Sequence, residues 1–546
     1  MKISSICILA AVACISLAPV CVGQHVQAQW IEINSPHFRI LTDAEEKQGR
    51  QVALQFEQMR AIFSQLLFNN KEIQSPPVQI IAMEDQKRLI EYALLMDQDQ
   101  PFAGTVLDSG KLITEADNQP ETGPQPSPDS GLQTIKKYAV KGVYLHSQDE
   151  DYILLNLKML NRQPTPHVRT KVGREIVLHE YAHRLLASNF PVLPRWFEEG
   201  FAVYFSTIKI EKGRVVMGTL PQLIESGVAP DQFIPVTTLF SNNYPASLSV
   251  DDTSQHPQFY AESRLIVDYL LTNRKMDQAQ KYFQLISQQI PVPDAIKQAF
   301  NMTPAEFDEE IKKFPVVPKI ALASTSSSIP TLLSAPTVDD AAFTVQQLSP
   351  LAVDATLADV HLHEPGYHTK AIKEFETLLV KDPLNTTAFR GLGLDSLRHG
   401  DLAGAEKHFQ KAIEVDPKNW LSHYYMALEL QQRANPYTVK QLEQEARLVT
   451  ELNPEFGDGF AIMGSALVLE QKLKEAVTAY QNALRLSPAN ESYSVSLAMI
   501  YMSQDKFDDA KTIFVGLENS RDRRVASMAK TYLQALSVQK KGPSNN

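Results

Sequence analysis

Residues 30–41, W-I-E-I-N-S-P-H-F-R-I-L, alternate apolar and polar positions, the period of a half-buried strand. The period then lengthens. Val52, Phe56, Met59, Ile62, Phe63, Leu66 and Leu67 recur three and four apart, which predicts a helix over 44–68. Val78 to Ala82, after Pro76-Pro77, is a short apolar run expected to form a second strand. Val143 to Leu145 and Tyr152 to Leu157 predict two more, divided by a polar turn from Ser147 to Asp151. Between them residues 97–134 are rich in Asp, Gly, Pro, Gln and Ser, the composition of a long loop. From about Thr170 the pattern is helical, with Val172, Ile176, Val177, Leu178, Leu185 and Leu186 on one face. Pro191 and Pro194 close that helix and introduce the next, from Arg195 to about Ser206. Further helices are expected at 259–272, 275–289 and 293–313.

The pattern breaks near Val316. Residues 320–337 are dominated by Ala, Ser, Thr and Pro, and no charge occurs from Ala321 to Val338, which reads as a linker. Beyond it the chain repeats. Prolines at 383, 417, 454 and 488 are spaced by 34, 37 and 34 residues. Ala371, Ala405, Ala476 and Ala510 keep the same phase, with Phe375, Phe409, Tyr480 and Phe514 four positions later. Phe389-x-x-Leu392-Gly393 and Phe460-x-x-Met463-Gly464 open two of the units. This resembles the tetratricopeptide repeat, a pair of antiparallel helices every 34 residues. Small residues such as Gly393 and Ala405 would let paired helices approach, and the aromatic would fill the gap to the next pair. Four units are expected, with a weaker one from about Ala352. The unit from Trp420 carries three extra residues, and Leu442 where the others have Ala, so a longer or distorted hairpin is expected there.

At 546 residues the chain is too long for a single core. Its net charge of −11 argues against a nucleic-acid role resting on overall positive charge. Lys2, the broken apolar run Ile3 to Val22 and the small-residue sequence Val26-Gln27-Ala28 read as a cleavable secretory signal, so the expected location is periplasmic or secreted. No later stretch is long and apolar enough to span a membrane. Cys7, Cys14 and Cys21 are the chain's three cysteines, so cleavage after Ala28 would leave none and take the charge to −12. Val20 before Cys21, and the early position of Cys14, disfavour a lipid anchor.

The chemistry concentrates at H-E-Y-A-H, residues 179–183. Residues four apart on a helix are offset by only about 40° and one turn, so His179 and His183 point at one place. Glu180 is turned by about 100°, beside a metal there rather than on it, where it can take a proton from water and pass it to a leaving amine. Two imidazoles with one carboxylate form a typical catalytic zinc set.

The run P-R-W-F-E-E-G-F-A-V-Y-F, 194–205, resembles the segment that carries the third ligand in gluzincin metallopeptidases, particularly the peptidase MA-like group and bacterial collagenases. The resemblance implies Zn2+ on His179, His183 and Glu199, with Glu180 as the base. Glu198 is the alternative ligand. One gluzincin branch places an aspartate that supports the ligands where this chain has Val203, so the groups orienting the histidines must come from elsewhere. P-Q-F-Y-A-E-S-R-L-I-V-D-Y-L, 257–270, resembles the helix in which aminopeptidase-type gluzincins keep a catalytic tyrosine. Tyr260 takes that position and would stabilise an oxyanion. A core tyrosine is the bland alternative, and His256 a substitute donor. No G-x-M-E-N-type motif is present to hold a free amino terminus, which favours an endopeptidase.

The expected architecture is therefore a signal at 1–28, an α+β gluzincin-type metallopeptidase domain at 29–315, a linker at 316–337 and an all-α tetratricopeptide-repeat solenoid at 338–546. The expected function is exported, zinc-dependent hydrolysis of a peptide or protein substrate, with the repeats binding a protein partner or that substrate. The strands before the metal helix would include an edge able to hold an extended peptide by backbone hydrogen bonds. A repeat-based interaction scaffold, with a non-proteolytic peptidase domain, is the alternative. Hydrolysis of a non-peptide amide at the same zinc is a third reading.

Overall fold

The structure is a computed structural model that describes residues 29–68, 70–74, 78–84, 142–145, 150–160, 174–211, 214–216, 230–241, 257–314, 335–363 and 367–539. The expected signal, the 97–134 loop, His256 and most of the linker lie outside these residues.

The expected first strand is a hairpin. β1 (Ile31–Asn34) and β2 (Phe38–Thr42) pair antiparallel around the Ser-Pro turn. The alternation is real, but Pro36 cannot continue a ladder, so one apolar face is delivered by two strands. β3 (Val78–Met83) and β5 (Asp151–Asn156) run parallel to β2, and β4 (Gly142–Leu145) is antiparallel to β5. β8 (Thr344–Gln347) pairs antiparallel with β1, giving the order β4-β5-β3-β2-β1-β8. This last strand comes from beyond the compositional linker. β6 (Lys209–Glu211) and β7 (Arg214–Val216) make a separate hairpin.

Both faces of the large sheet are covered. Ile33, Ile40, Ile80 and Ile153 face a core shared with α1 (Glu46–Phe68), α2 (Arg174–Asn189), α3 (Arg195–Ser206) and α4 (Pro257–Thr272). Leu41, Ile81 and Leu154 face the other way, against Val353 and Val360 of α8 (Pro350–His363). That alternation is the period of two in side-chain direction along each strand.

α5 (Met276–Ser287), α6 (Val292–Phe300) and α7 (Pro304–Lys313) follow α4. The single helix expected at 293–313 is two. Asn301 adopts the left-handed conformation that ends α6, and Thr303 with Glu306 forms a capping box that starts α7.

The remaining long helices are α9 (His368–Lys381), α10 (Thr386–Arg398), α11 (Leu402–Val415), α12 (Trp420–Gln432), α13 (Val439–Leu452), α14 (Gly457–Leu469), α15 (Leu473–Leu486), α16 (Glu491–Ser503), α17 (Phe507–Leu517) and α18 (Arg523–Gln539). They form a solenoid of helix pairs. Side chains of Asn385, Asp401, Asn419 and Asn490 accept backbone N–H bonds at the starts of their helices. The phased Ala371, Ala405, Ala476 and Ala510 are fully buried. A Cβ on Gly464 would lie 2.7 Å from the Tyr480 ring, and one on Gly393 would lie closer still to the Phe409 ring, so the glycines admit the aromatics. The unit from Trp420 has helices of ordinary length. Its three extra residues lie in the connection 433–438, where the neighbouring units use 399–401 and 470–472. Leu442 and Ala446 fill its interior with the large and small positions exchanged.

Candidate metal centre

α2 is anchored by Tyr181, whose ring stands edge-on to Phe38 and Phe56 at 5.9 Å from each. Leu178, Ala182 and Leu185 are buried with it in the core. His179 and His183 therefore emerge together on the opposite side. α3 crosses α2 and is fixed by Trp196, stacked on Phe240 at 4.1 Å and 6°. Phe197, Phe201 and Phe205 line its buried face. A Cβ on Gly200 would strike the Ser263 carbonyl of α4, so the glycine in E-E-G lets α3 and α4 meet backbone to backbone.

The crossing brings three donor atoms together. His179 Nε2 and His183 Nε2 are 3.1 Å apart, and Glu199 Oε2 lies 3.5 Å from the first and 3.4 Å from the second. Donors held at about 2.0–2.1 Å by a tetrahedral ion stand about 3.3 Å from one another. The triangle thus fits a small tetrahedral cation without rearrangement. Two ring nitrogens can share only one proton, whereas a cation meets all three lone pairs. Burial disfavours charge here, yet the charge of Glu199 and its hydrogen bond raise His183 to about 9. Burial likewise opposes the Glu199 carboxylate, but the charge of His183 and bonds from both histidines hold it well below the usual range.

Glu180 is half-buried beside the cluster, and its charge reaches His183 and Tyr260. Tyr260 is 8% exposed. Burial, then the charge of Glu199, push its phenol up to about 12, against the opposing charge and hydrogen bond of Arg195. Glu198 does not join the triangle: its carboxylate accepts from Leu193 N and from Arg521. Val203 is buried in the apolar core.

Four residues around the cluster escaped the sequence reading. Arg184 Nε lies 2.8 Å from Asp151 Oδ2, which also accepts from Tyr144 Oη at 2.8 Å, tying α2 to β5 and to the edge strand β4. Arg195 contacts Tyr260 and sits 6.0 Å over the Phe259 ring. Both follow or precede a motif residue directly and were open to suspicion on that ground. Asp458 of α14 and Arg521 approach from the solenoid, and nothing in the local sequence signals it.

Residues 367–423 match the tetratricopeptide repeat family. Solved structures similar to the chain include PilF of Pseudomonas aeruginosa, at 16% identity over 36% of this chain and 93% of that one, with a TM-score of 0.30. A thermophilic TPR protein of Thermus thermophilus is 18% identical over 34% and 99%, at 0.28. MamA from Desulfovibrio magneticus is 14% identical over 35% and 98%, at 0.26. No curated protein matches the chain. Among the described residues no helix is long and apolar enough to cross a membrane. The family match, together with the buried alanine-aromatic phasing of the helix pairs, makes the C-terminal region a tetratricopeptide-repeat solenoid.

Proposed function

We propose that this chain is an exported zinc-dependent peptidase of the gluzincin type, an endopeptidase whose repeats engage a protein partner or the substrate itself. The observation that carries the reading is the triangle of His179 Nε2, His183 Nε2 and Glu199 Oε2, with edges of 3.1, 3.4 and 3.5 Å. Zinc held by these three residues would supply a Lewis acid for the peptide carbonyl and a water acidic enough to attack it near neutral pH. Glu180, next in sequence to one ligand and turned from it, takes the proton of the attacking water and delivers it to the departing amine. Tyr260, a phenol at neutral pH as any tyrosine is, can donate a hydrogen bond to the carbonyl oxygen as negative charge builds there. Arg195 steadies that phenol. The test is hydrolysis of an unfolded protein by the full chain: lost to a chelator, restored by zinc, and abolished in Glu180→Gln with zinc content unchanged. Cleavage that survives Glu180→Gln removes the assigned base.

A second reading, a repeat-based interaction scaffold without turnover, is favoured by the family match over residues 367–423. It predicts that zinc-loaded protein cleaves nothing, and that partner capture is the same in the wild type and in Glu180→Gln.

A further inference from the structure

Among the described residues two groups of metal-competent side chains converge, and only one is the triangle above. The other lies in the solenoid. His368 opens α9, while Asp395 and His399 sit four apart at the end of α10. The plan repeats that of the first cluster: two donors at i and i+4 on one helix, the spacing that aims them at one point, and a third from the neighbouring helix.

Two ring nitrogens meet one carboxylate oxygen. His368 Nε2 is 2.5 Å from Asp395 Oδ1, and His399 Nδ1 is 3.1 Å from the same oxygen. The two rings stand 5.7 Å apart at 44°. All three ligand atoms fall within 4.8 Å of one another. A simple ion pair would account for one histidine on the carboxylate. His399, one turn on in the same helix, brings a second ring nitrogen to the same oxygen. An ion about 2.0–2.1 Å from each donor spaces them about 3.3 Å apart, so binding opens the His368–Asp395 pair from 2.5 Å and releases the bond from His399 Nδ1 to the Asp395 carbonyl.

We propose that His368, Asp395 and His399 form a second metal site, independent of the peptidase reading. Two imidazoles and one carboxylate select a borderline transition ion, Zn2+ above all, over Ca2+ or Mg2+, which prefer oxygen cages. The side chains are 34%, 24% and 67% exposed, so water fills the other positions. Bound there, it clamps the start of α9 to the end of α10, bracing the helices at the head of the solenoid.

The experiment uses the full chain with His179→Ala and His183→Ala, which empties the first cluster. After equilibration with Zn2+ and desalting, metal per chain and thermal melting are measured. The site predicts one retained zinc and a zinc-dependent rise in Tm, both lost when His368→Ala and His399→Ala are added. No retained zinc in the first variant, or zinc that survives the added substitutions, overturns the site. Should the first variant fail to fold, the comparison is made in the wild type, where His368→Ala with His399→Ala lowers the zinc count by one at an unchanged circular dichroism spectrum. An unchanged count there refutes the site as well. Failure of the peptidase reading shows separately, as absent hydrolysis, and leaves this count untouched.

Discussion

Arg521 and Glu198 lie 323 residues apart and are bonded: Nη1 of the arginine donates to Glu198 Oε2 at 2.6 Å, and Nη2 donates to the Leu193 carbonyl at 2.8 Å. Glu198 also accepts from Leu193 N, so one side chain ties the approach to α3 to the turn between α17 and α18. Gln289, between α5 and α6, reinforces the contact, donating to the Val515 carbonyl and to Glu518. Neighbouring glutamates therefore divide the work. Glu199 faces the two histidines, and Glu198 holds the solenoid against the helix that presents it.

The arginine side chain is 47% exposed and the glutamate 19%, so solvent screens the pair. A double-mutant cycle of Arg521→Ala and Glu198→Ala, read by urea unfolding of the full chain, should give a coupling of no more than about 1 kcal/mol. A coupling well above about 1 kcal/mol would show that solvent does not screen the pair.

Gly200→Ala is expected to be far more damaging than a methyl group suggests. Its Cβ meets the Ser263 carbonyl, which is backbone and cannot swing aside. Overpacking of this kind costs roughly 1–3 kcal/mol or more. Because α3 must shift, Glu199 should also leave the triangle and zinc affinity should fall with Tm. A variant with wild-type Tm and zinc content would show that α3 and α4 are not in backbone contact.

Glu262 makes stability depend on pH. It is 4% exposed, and burial raises its pKa to about 7, despite hydrogen bonds from Gln258 and from Ile234 N. The folded state holds the proton more tightly than the unfolded chain, whose value is 4.5. The contribution is thus full below about 4.5 and lost as pH rises through about 7. Stability should decline across that window by on the order of 1–3 kcal/mol. Glu262→Gln should flatten this slope in denaturant titrations at stepped pH. An unchanged slope would assign the dependence to another group.

Much of this was legible in advance because it rests on local periodicity. The i, i+4 histidines and the alanine-aromatic phase of the repeats are fixed by helix geometry within a few turns, whereas Glu199 was reached through the resemblance of the 194–205 run. What escaped is decided by partners far away. Thr344–Gln347 is too polar to look like a strand, and becomes one because β1 offers a free edge and Glu32 accepts a bond from Gln346 at 2.7 Å. The break at Asn301 is a single left-handed residue inside a continuous apolar period. The extra residues after Trp420 were visible, but their place was not. Apolar spacing cannot distinguish a lengthened helix from a lengthened connection when the following helix restores the phase.

The docking of the solenoid on the sheet rests on a buried charge. Asp359 of α8 accepts from Tyr152 Oη of β5 at 2.7 Å and from Arg390 Nη2 of α10 at 2.6 Å. Asp359 is 5% exposed and Arg390 7%. Asp359→Ala would strand the guanidinium without its counter-charge, which costs about 3–5 kcal/mol. Removing both charges is different, since a buried pair can be replaced by apolar groups at little cost. Asp359→Ala should therefore lower the guanidinium unfolding midpoint sharply, and Asp359→Leu with Arg390→Met should recover most of the loss. Because Asp359 joins the sheet to the repeats, the single variant should also separate one calorimetric transition into two. A single variant within about 1 kcal/mol of wild type would mean that water reaches the arginine, and that the docking of the solenoid on the sheet rests on apolar contacts such as those of Val353 and Val360.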